Sequence, residues 1–337
     1  MIKVLKPGLL TSVQDLGRTG YQTYGVIASG VMDPAAHRIA NLLVGNREGA
    51  ATLEITLSGP VLEFQEDALI SLCGGDLSAT IGSKQVKPWR PVYVKKGSEL
   101  RFGQAKEGCR VYLAVAGGFH VPEVMESKST YLRAGLGGFH GRALKEGDEL
   151  AAQELSEAAA KIQSFLQKQA GGESFISMDW HVASEFIPVF KEEQPVRVIK
   201  GRQYELFKKE SQEAFFFEPY QIGSKSDRMG YRLEGPKLQL DKEQEMISEA
   251  VGFGTIQVPS NGQPIILLAD RQTTGGYPKI GQVASVDIPV VAQLKPGEKA
   301  RFQEISLEKA QQLYLEREKS IQQLAQGIRL KLKEEVR

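Results

Sequence analysis

The sequence predicts a mainly β protein with a few helices, organised as two halves, and three observations carry that prediction. Glycine is frequent, 35 among 337 residues, which favours tight turns and short strands over long helices. Between residues 50 and 120, short apolar runs separated by Gly and Pro follow one another at the spacing of a β barrel or sandwich. Two landmarks then recur later in the same order. Ser58-Gly59-Pro60-Val61-Leu62-Glu63-Phe64 has a counterpart in Glu234-Gly235-Pro236-Lys237-Leu238-Gln239-Leu240. Lys96-Gly97-Ser98-Glu99-Leu100-Arg101-Phe102 has one in Pro296-Gly297-Glu298-Lys299-Ala300-Arg301-Phe302. Their shared order points to a duplicated β unit, and the length alone makes two domains the default.

In chain order, residues 2–5 alternate and stop at Pro7-Gly8, as a short opening strand does. Thr11 to Gln22 is polar and punctuated by glycine, with Asp15 and Arg18 placed for a local ion pair or a ligand contact. A helix is expected from Pro34 to Val44. Asp33 suits its N-cap, Pro34 its first position and Gly45 its end, and Ala35, Ile39, Leu42 and Leu43 share one face. The amino end of this helix, beside Ser29 and Gly30, could hold an anion, while His37 inside it reads as structural. Strands are expected at Ala51–Leu57, Val61–Phe64, Ala68–Cys73, Val92–Val94, Glu99–Phe102 and Val111–Ala116. Residues 127–142 are rich in glycine and polar groups but match neither a phosphate loop nor a dinucleotide fingerprint. From 148 to 170 Ala, Glu and Gln dominate, with Leu155, Ala159, Ile162 and Leu166 at helical spacing up to Gly171-Gly172. The expected domains are therefore 1–147, a helical linker over 148–175, and 176–337 ending in a charged amphipathic helix from near Ser306.

Composition narrows the function classes. Lys plus Arg number 42 against 41 Asp plus Glu, a balance with no general pull toward nucleic acid or anionic membrane. No apolar run has membrane-spanning length, and the first seven residues lack a signal-peptide core. The two cysteines, Cys73 and Cys109, sit in apolar stretches and read as buried thiols, so a cytoplasmic protein is expected.

The stretch richest in chemistry is Gln272-Thr273-Thr274-Gly275-Gly276-Tyr277-Pro278-Lys279, which follows the apolar run Pro264–Ala269 and Asp270-Arg271. A turn needs only Gly-Gly and Pro. The remaining amide, hydroxyls, phenol and ammonium favour a ligand-binding loop whose glycines let a ligand approach the main chain. Ahead of it, Ser226-Asp227-Arg228-Met229-Gly230 repeats the Asp/Arg theme, either as a surface ion pair or as a fork for carboxylate or phosphate.

Taken together, Ser12-Val13-Gln14-Asp15-Leu16-Gly17-Arg18, Ser29-Gly30-Val31-Met32-Asp33, Ser226-Asp227-Arg228-Met229-Gly230 and Gln272-Thr273-Thr274-Gly275-Gly276-Tyr277-Pro278 resemble the biotin-dependent carboxyltransferase family, also called allophanate hydrolase subunit 2. The resemblance runs from about residue 3 to about 304. It implies two cyclophilin-like β-barrel halves with a site lined by the four motifs. Within the family it is nearest the 5-oxoprolinase branch, whose members also antagonise an inhibitor of a sporulation kinase. That branch implies a subunit of an ATP-dependent enzyme opening 5-oxoproline to glutamate, with separate A and B subunits, B being the kinase-inhibitor-like one. ATP with Mg²⁺ is then implied for the complex, and biotin, on another protein, for the alternative of carboxyl transfer to a urea-like amide. A purely regulatory binding protein is the third alternative. Two departures from the family are Cys73, at a position that is usually small, and the long helical stretch 151–175.

On the implied chemistry, Arg18, Arg228, Lys279 and the Gly275-Gly276 amides would stabilise charge developing on oxygen. Asp227 or Asp270 would act as base or Mg²⁺ ligand. Gln14, Asp15, Ser29, Gly30, Asp33, Met229, Gln257, Gln272, Thr273, Thr274 and Tyr277 would bind and orient substrate. These segments are expected to converge on one cleft.

Overall fold

A computed structural model describes residues 1–190, 195–242 and 244–335, with side chains described to residue 331. It is mostly β, with five helices among the described residues: α1 (Pro34–Leu43), α2 (Glu157–Ala170), α3 (Lys209–Phe217), α4 (Ile288–Gln293) and α5 (Leu307–Glu335). The contacts divide the chain into two units. Met1–Gly17, Asp33–Pro188 and Ser320–Arg337 form the first, and Arg18–Met32 with Val189–Lys319 form the second. The polar segment after Gly17 thus belongs with the second unit, which no local signal in the sequence announces.

The first unit is two six-stranded sheets around a single apolar core. One sheet runs in the order Glu149–Leu150, Ile2–Lys6, Val61–Phe64, Glu99–Arg101, Thr80–Ile81 and Lys84–Gln85. The other runs Phe175–Ser177, Val92–Val94, Ala68–Asp76, Glu107–Val115, Thr52–Thr56 and Leu10–Gln14. Alternation decides which side chains fill the core. Val13, Leu53, Ile55, Ile70, Leu72, Val111, Leu113 and Val115 point into it and meet Ile2, Val4, Leu62, Phe64 and Leu100 from the facing sheet.

The opposite face of the second sheet is polar and also buried. A lateral row crosses four strands in register: Ser12 opposite Glu54, Glu54 opposite Tyr112, and Tyr112 opposite Cys73. Gln14, Thr52, Ser71 and Arg110 flank that row, all at most 4% exposed. Helix α1 lies on this face. Ser71 Oγ donates to the Ala40 carbonyl at 2.6 Å, and His37 Nδ1 is 2.9 Å from Thr52 Oγ1. The helix runs as its signals predict, with Asp33 capping through Ala36 N at 3.0 Å. That carboxylate supplies negative charge at the positive end of the helix dipole, so the end expected to be open to an anion is occupied by the chain itself.

The segment expected to link two halves is built into the first unit. Glu149–Leu150 pairs with the opening strand, and α2 buries Ala159, Ile162 and Leu166. Leu155, counted into the helical stripe, precedes the Ser156 cap and is exposed. Helix α2 starts at Glu157 because Ser156 Oγ accepts from Ala159 N.

The second unit contains a closed barrel of seven strands, in the order Pro195–Lys200, Lys279–Val283, Thr255–Gln257, Ile265–Leu267, Gly230–Glu234, Tyr220–Ile222 and Lys299–Glu304. The first and last of these run parallel, Pro195 opposite Arg301, and the other neighbours are antiparallel. Its core includes Phe215 of α3 stacked on Phe302 at 4.8 Å between ring centroids. The sequence landmarks map unevenly. Glu99–Arg101 and Lys299–Glu304 are both strands, whereas the counterpart of Val61–Phe64 makes only an isolated bridge, Phe207 with Leu240.

Two tests follow from this packing. The glycines of residues 127–142 fold that loop on itself: Gly141 has φ +68° and Gly138 φ +56°, and a Cβ on Gly141 would overlap the Gly135 carbonyl. Gly141→Ala therefore destabilises the first unit by about 2–4 kcal/mol, read as a lower denaturation midpoint. Burial pushes the His37 pKa from 6.5 down to about 4, against the pull of Asp15 and Glu54 and with the help of Arg38. The unfolded chain then binds a proton in that window that the native protein does not. Stability is whole above pH 6.5 and falls on descending to about pH 4, by on the order of 3 kcal/mol, and His37→Gln flattens that slope in denaturation curves taken across the range.

Candidate functional site

Arg228 anchors one group of the expected residues. Asp227 Oδ1 accepts the N–H groups of Met229 at 2.8 Å and Gly230 at 3.2 Å, forming the turn that launches strand Gly230–Glu234. The turn leaves Asp227 exposed and half-buries Met229, while Arg228 points inward at 4% exposure. Its carbonyl accepts Asp270 N at 2.8 Å, and its side chain returns the contact. Nε donates to Asp270 Oδ2 at 3.0 Å and Nη2 to Oδ1 at 3.2 Å, a two-pronged pair in which Asp270 is 5% exposed. Nη2 also donates to the Gly30 carbonyl at 2.5 Å.

Ser29 and Gly30 both have positive φ, 52° and 92°. That conformation costs a non-glycine residue energy, and such strain clusters at functional positions. Ser29 Oγ is buried and makes no hydrogen bond among the described residues. Arg18 opens the same segment. It is buried, its N–H donates to the Ala28 carbonyl at 2.7 Å, and its carbonyl accepts Gln22 Nε2 at 2.6 Å, closing residues 18–28 into a loop.

A second group gathers under a two-stranded ribbon, Glu249–Ala250 with Thr274–Gly275, extended by Val251 N donating to the Thr273 carbonyl at 3.1 Å. Gly275 is opposite Glu249 and lies so close over Gln257 that a Cβ there would overlap the Gln257 amide. Gln257 is 5% exposed, and its Nε2 has no hydrogen-bond partner among the described residues. Lys279, opposite Gln257 in the barrel, donates from Nζ to Glu249 Oε2 at 3.0 Å, and Arg202 Nη1 donates to Glu249 Oε1 at 3.2 Å. The hydrogen bond from Lys279 holds the Glu249 carboxyl below its usual range. Gln272, Thr274 and Tyr277 are exposed along the ribbon, and Thr273 and Gly276 are half-buried.

The two groups lie toward opposite ends of one strand. Gln257 is opposite Ile265, where strand Ile265–Leu267 begins, and Asp270 follows its end. Arg271 to Gly276 connects them. In the second unit the expected site residues thus include an Arg228–Asp270–Gly30 group, which Ser29 adjoins, and a Gln257–Gly275–Lys279 group.

In the first unit, Gln14 Nε2 donates to Ser12 Oγ at 3.0 Å and to the Thr130 carbonyl at 3.1 Å, leaving Oε1 buried with no partner among the described residues. Asp15 is a clasp. Its carboxylate accepts from Gly17 N (2.8 Å), Ser127 Oγ (2.7 Å), Lys128 N (2.5 Å) and Ser129 Oγ (2.5 Å), pinning residues 127–129. Asp33 is the α1 cap already described. Cys73 is no nucleophile: burial raises its thiol pKa well above the usual value.

Several of these partners carry no sequence motif of their own. Glu249, Arg202 and Gln203, whose Oε1 accepts Lys279 N at 3.2 Å, are among them. Glu54, Arg110 and Tyr112 were hidden inside strands, although the alternation of Thr52-Leu53-Glu54-Ile55-Thr56 marks a second, polar face. Chemically, Asp15, Asp227 and Asp270 all accept from protein donors; both bonds to Asp227 fall on Oδ1, whereas Asp270 accepts on both of its oxygens. No group of three or more His, Cys, Asp or Glu side chains is placed to hold a metal among the described residues. No described helix is long and apolar enough to cross a membrane.

Comparison with known proteins adds to this geometry. The chain is 38% identical to the C subunit of the 5-oxoprolinase of Escherichia coli (strain K12) over 326 residues, covering 96% of this chain and 98% of that protein. It is 36% identical to the C subunit of the Haemophilus influenzae 5-oxoprolinase over 313 residues, covering 93% and 94%. Its structure matches the urea amidolyase of Kluyveromyces lactis with a TM-score of 0.84 and 33% identity. That match covers 95% of this chain but only 20% of the urea amidolyase chain. Residues 24–304 match the family model described as carboxyltransferase domain, subdomain A and B, and the chain belongs to that family.

Proposed function

We propose that the chain is the C subunit of an ATP-dependent 5-oxoprolinase, opening 5-oxoproline to L-glutamate together with A and B subunits. The observation that carries this reading is the near-complete, end-to-end similarity to the C subunits of two 5-oxoprolinases. The groups left over in the site agree with such a substrate. A cyclic amide carrying a carboxylate presents mainly acceptor oxygens, and Gln257 Nε2 and Ser29 Oγ are buried donors with no protein partner among the described residues. Arg228, fixed by Asp270, sets the cationic charge beside Gly30. Lys279, tied to Glu249, sets the charge beside Gln257. ATP with Mg²⁺ drives the reaction in the complex. Binding to the kinase-inhibitor-like B subunit is also the route by which the chain antagonises that inhibitor. Two buried free thiols fit a reducing cytoplasm.

A second reading, carboxyl transfer from biotin carried on another protein to a urea-like amide, is favoured by the structural match to urea amidolyase. One experiment separates the readings: purified chain is mixed with A and B subunits and 5-oxoproline, and glutamate is measured. ATP-dependent glutamate release from the three-part mixture, and from no pair, is the expected result. Bicarbonate-dependent product with a streptavidin-reactive partner instead would establish carboxyl transfer. Inhibitor binding with neither activity would leave regulation alone.

Two variants sharpen the test. Arg228→Ala lowers glutamate release by about 10²–10³-fold. It also destabilises the protein by about 3–5 kcal/mol by leaving Asp270 buried and unpaired, whereas replacing both residues with leucine recovers most of that stability but not the activity. Gly275→Ala forces the Gln257 amide aside and raises the KM for 5-oxoproline with little change in the denaturation midpoint.

A further inference from the structure

The N-cap of α1 is half of a reciprocal motif. Asp33 Oδ1 accepts the N–H of the third helical residue, Ala36, at 3.0 Å. In a full capping box the third residue is Glu or Gln and returns a bond to the cap's own N–H. Alanine stands there and cannot. The returning bond comes instead from strand Glu107–Val115: the Asp33 N–H donates to Tyr112 Oη at 2.8 Å. Tyr112 Oη in turn donates its proton to Glu54 Oε2 at 2.9 Å, and Arg110 Nε lies 3.9 Å from Glu54 Oε1.

Every member of this chain is buried: Asp33 and Tyr112 at 0%, Glu54 at 1% and Arg110 at 4% exposure. An ionised pair so placed is seldom worth more to stability than apolar side chains of the same volume, and the inner face of the same sheet is packed by just such side chains. What the polar row provides that an apolar one does not is a fixed point for one peptide N–H. Tyr112 needs its proton to donate to Glu54 while it accepts from Asp33, and burial together with Glu54 and Asp33 raises its phenol well above the usual value, which keeps that proton in place. Glu54, paired across the strands with Tyr112 and beside Ser12, gives the hydroxyl its direction.

We propose that Tyr112, oriented by Glu54, is a positioning residue that supplies the missing half of the α1 capping box and so fixes the backbone of Asp33. The local claim concerns the helix start alone. Its consequence for catalysis rests on the 5-oxoprolinase reading and on the Ser29–Asp33 motif, whose last residue is the cap, belonging to the substrate site.

The test uses the full chain with Tyr112→Phe, and two measurements. Hydrogen exchange over the peptide containing Asp33 to His37 is expected to quicken about tenfold, the loss of one hydrogen bond, while the strands of the second unit exchange as before. In the assembled enzyme, the KM for 5-oxoproline rises severalfold and the KM for ATP is unchanged, a split that a mere loss of folded protein does not produce. Unchanged exchange at the helix start overturns the proposal. Faster exchange with an unchanged KM in an active complex makes the tie structural only and overturns the positioning role. A wild-type complex with no glutamate release counts against the functional reading, and exchange then decides the local claim by itself. Should Tyr112→Phe fail to fold, Glu54→Gln carries the same two measurements with the same direction and smaller effects, and wild-type values there overturn the proposal.

Discussion

A sheet with two buried faces of opposite character is the constraint on which the first unit depends. Strand residues alternate, so once Leu53, Ile55, Val111 and Leu113 are committed to the core, Glu54, Arg110 and Tyr112 must all point the other way. A slip of one residue would place a carboxylate and a guanidinium in the apolar core and leave leucines against the polar groups of α1. Register, helix placement and the position of the Asp33 cap are therefore one decision. The second unit meets a similar demand with different means: the ribbon of Glu249–Ala250 and Thr274–Gly275 lies over Gln257, and glycine at 275 is what allows that approach.

Much of the fold was legible because its signals are local. Helix α1 could be read to within a residue, since an Asp cap, a Pro at the first position and a glycine beyond the end act within one turn each. The strands Val61–Phe64 and Val92–Val94 stop where Gly, Pro or charge stops them. What the sequence could not disclose is anything settled by distant partners. Asp15 looked like half of an ion pair with Arg18, but its carboxylate is taken by Ser127, Lys128 and Ser129, more than a hundred residues away. Leu155 fitted a helical stripe, but Ser156 caps the helix after it. The parallel pairing of Pro195–Lys200 with Lys299–Glu304 leaves no periodicity to read.

The same distinction explains the candidate site. Motif residues were identifiable as chemistry-bearing types in glycine-rich surroundings, and the structure does give several of them buried, specific partners. Their grouping was not identifiable, because it depends on which end of strand Ile265–Leu267 each approaches. Arg228 and Asp270 meet through both main chain and side chain at one end, and Lys279 and Gln257 lie at the other with Glu249, a residue no motif contained. Two cations, each locked to a carboxylate, are oriented in advance instead of being recruited from solvent, which is how fixed charge acts most strongly on a reacting group.

Closure of the seven strands in the second unit has a consequence for solution behaviour. An open sheet displays a row of unsatisfied main-chain groups along its margin, and through such margins identical molecules zip together into aggregates. A cylinder has no margin. Recognition by other proteins through the barrel wall is therefore written in side chains and connecting loops, which can diverge between relatives without exposing the backbone ladder to unintended polymerisation.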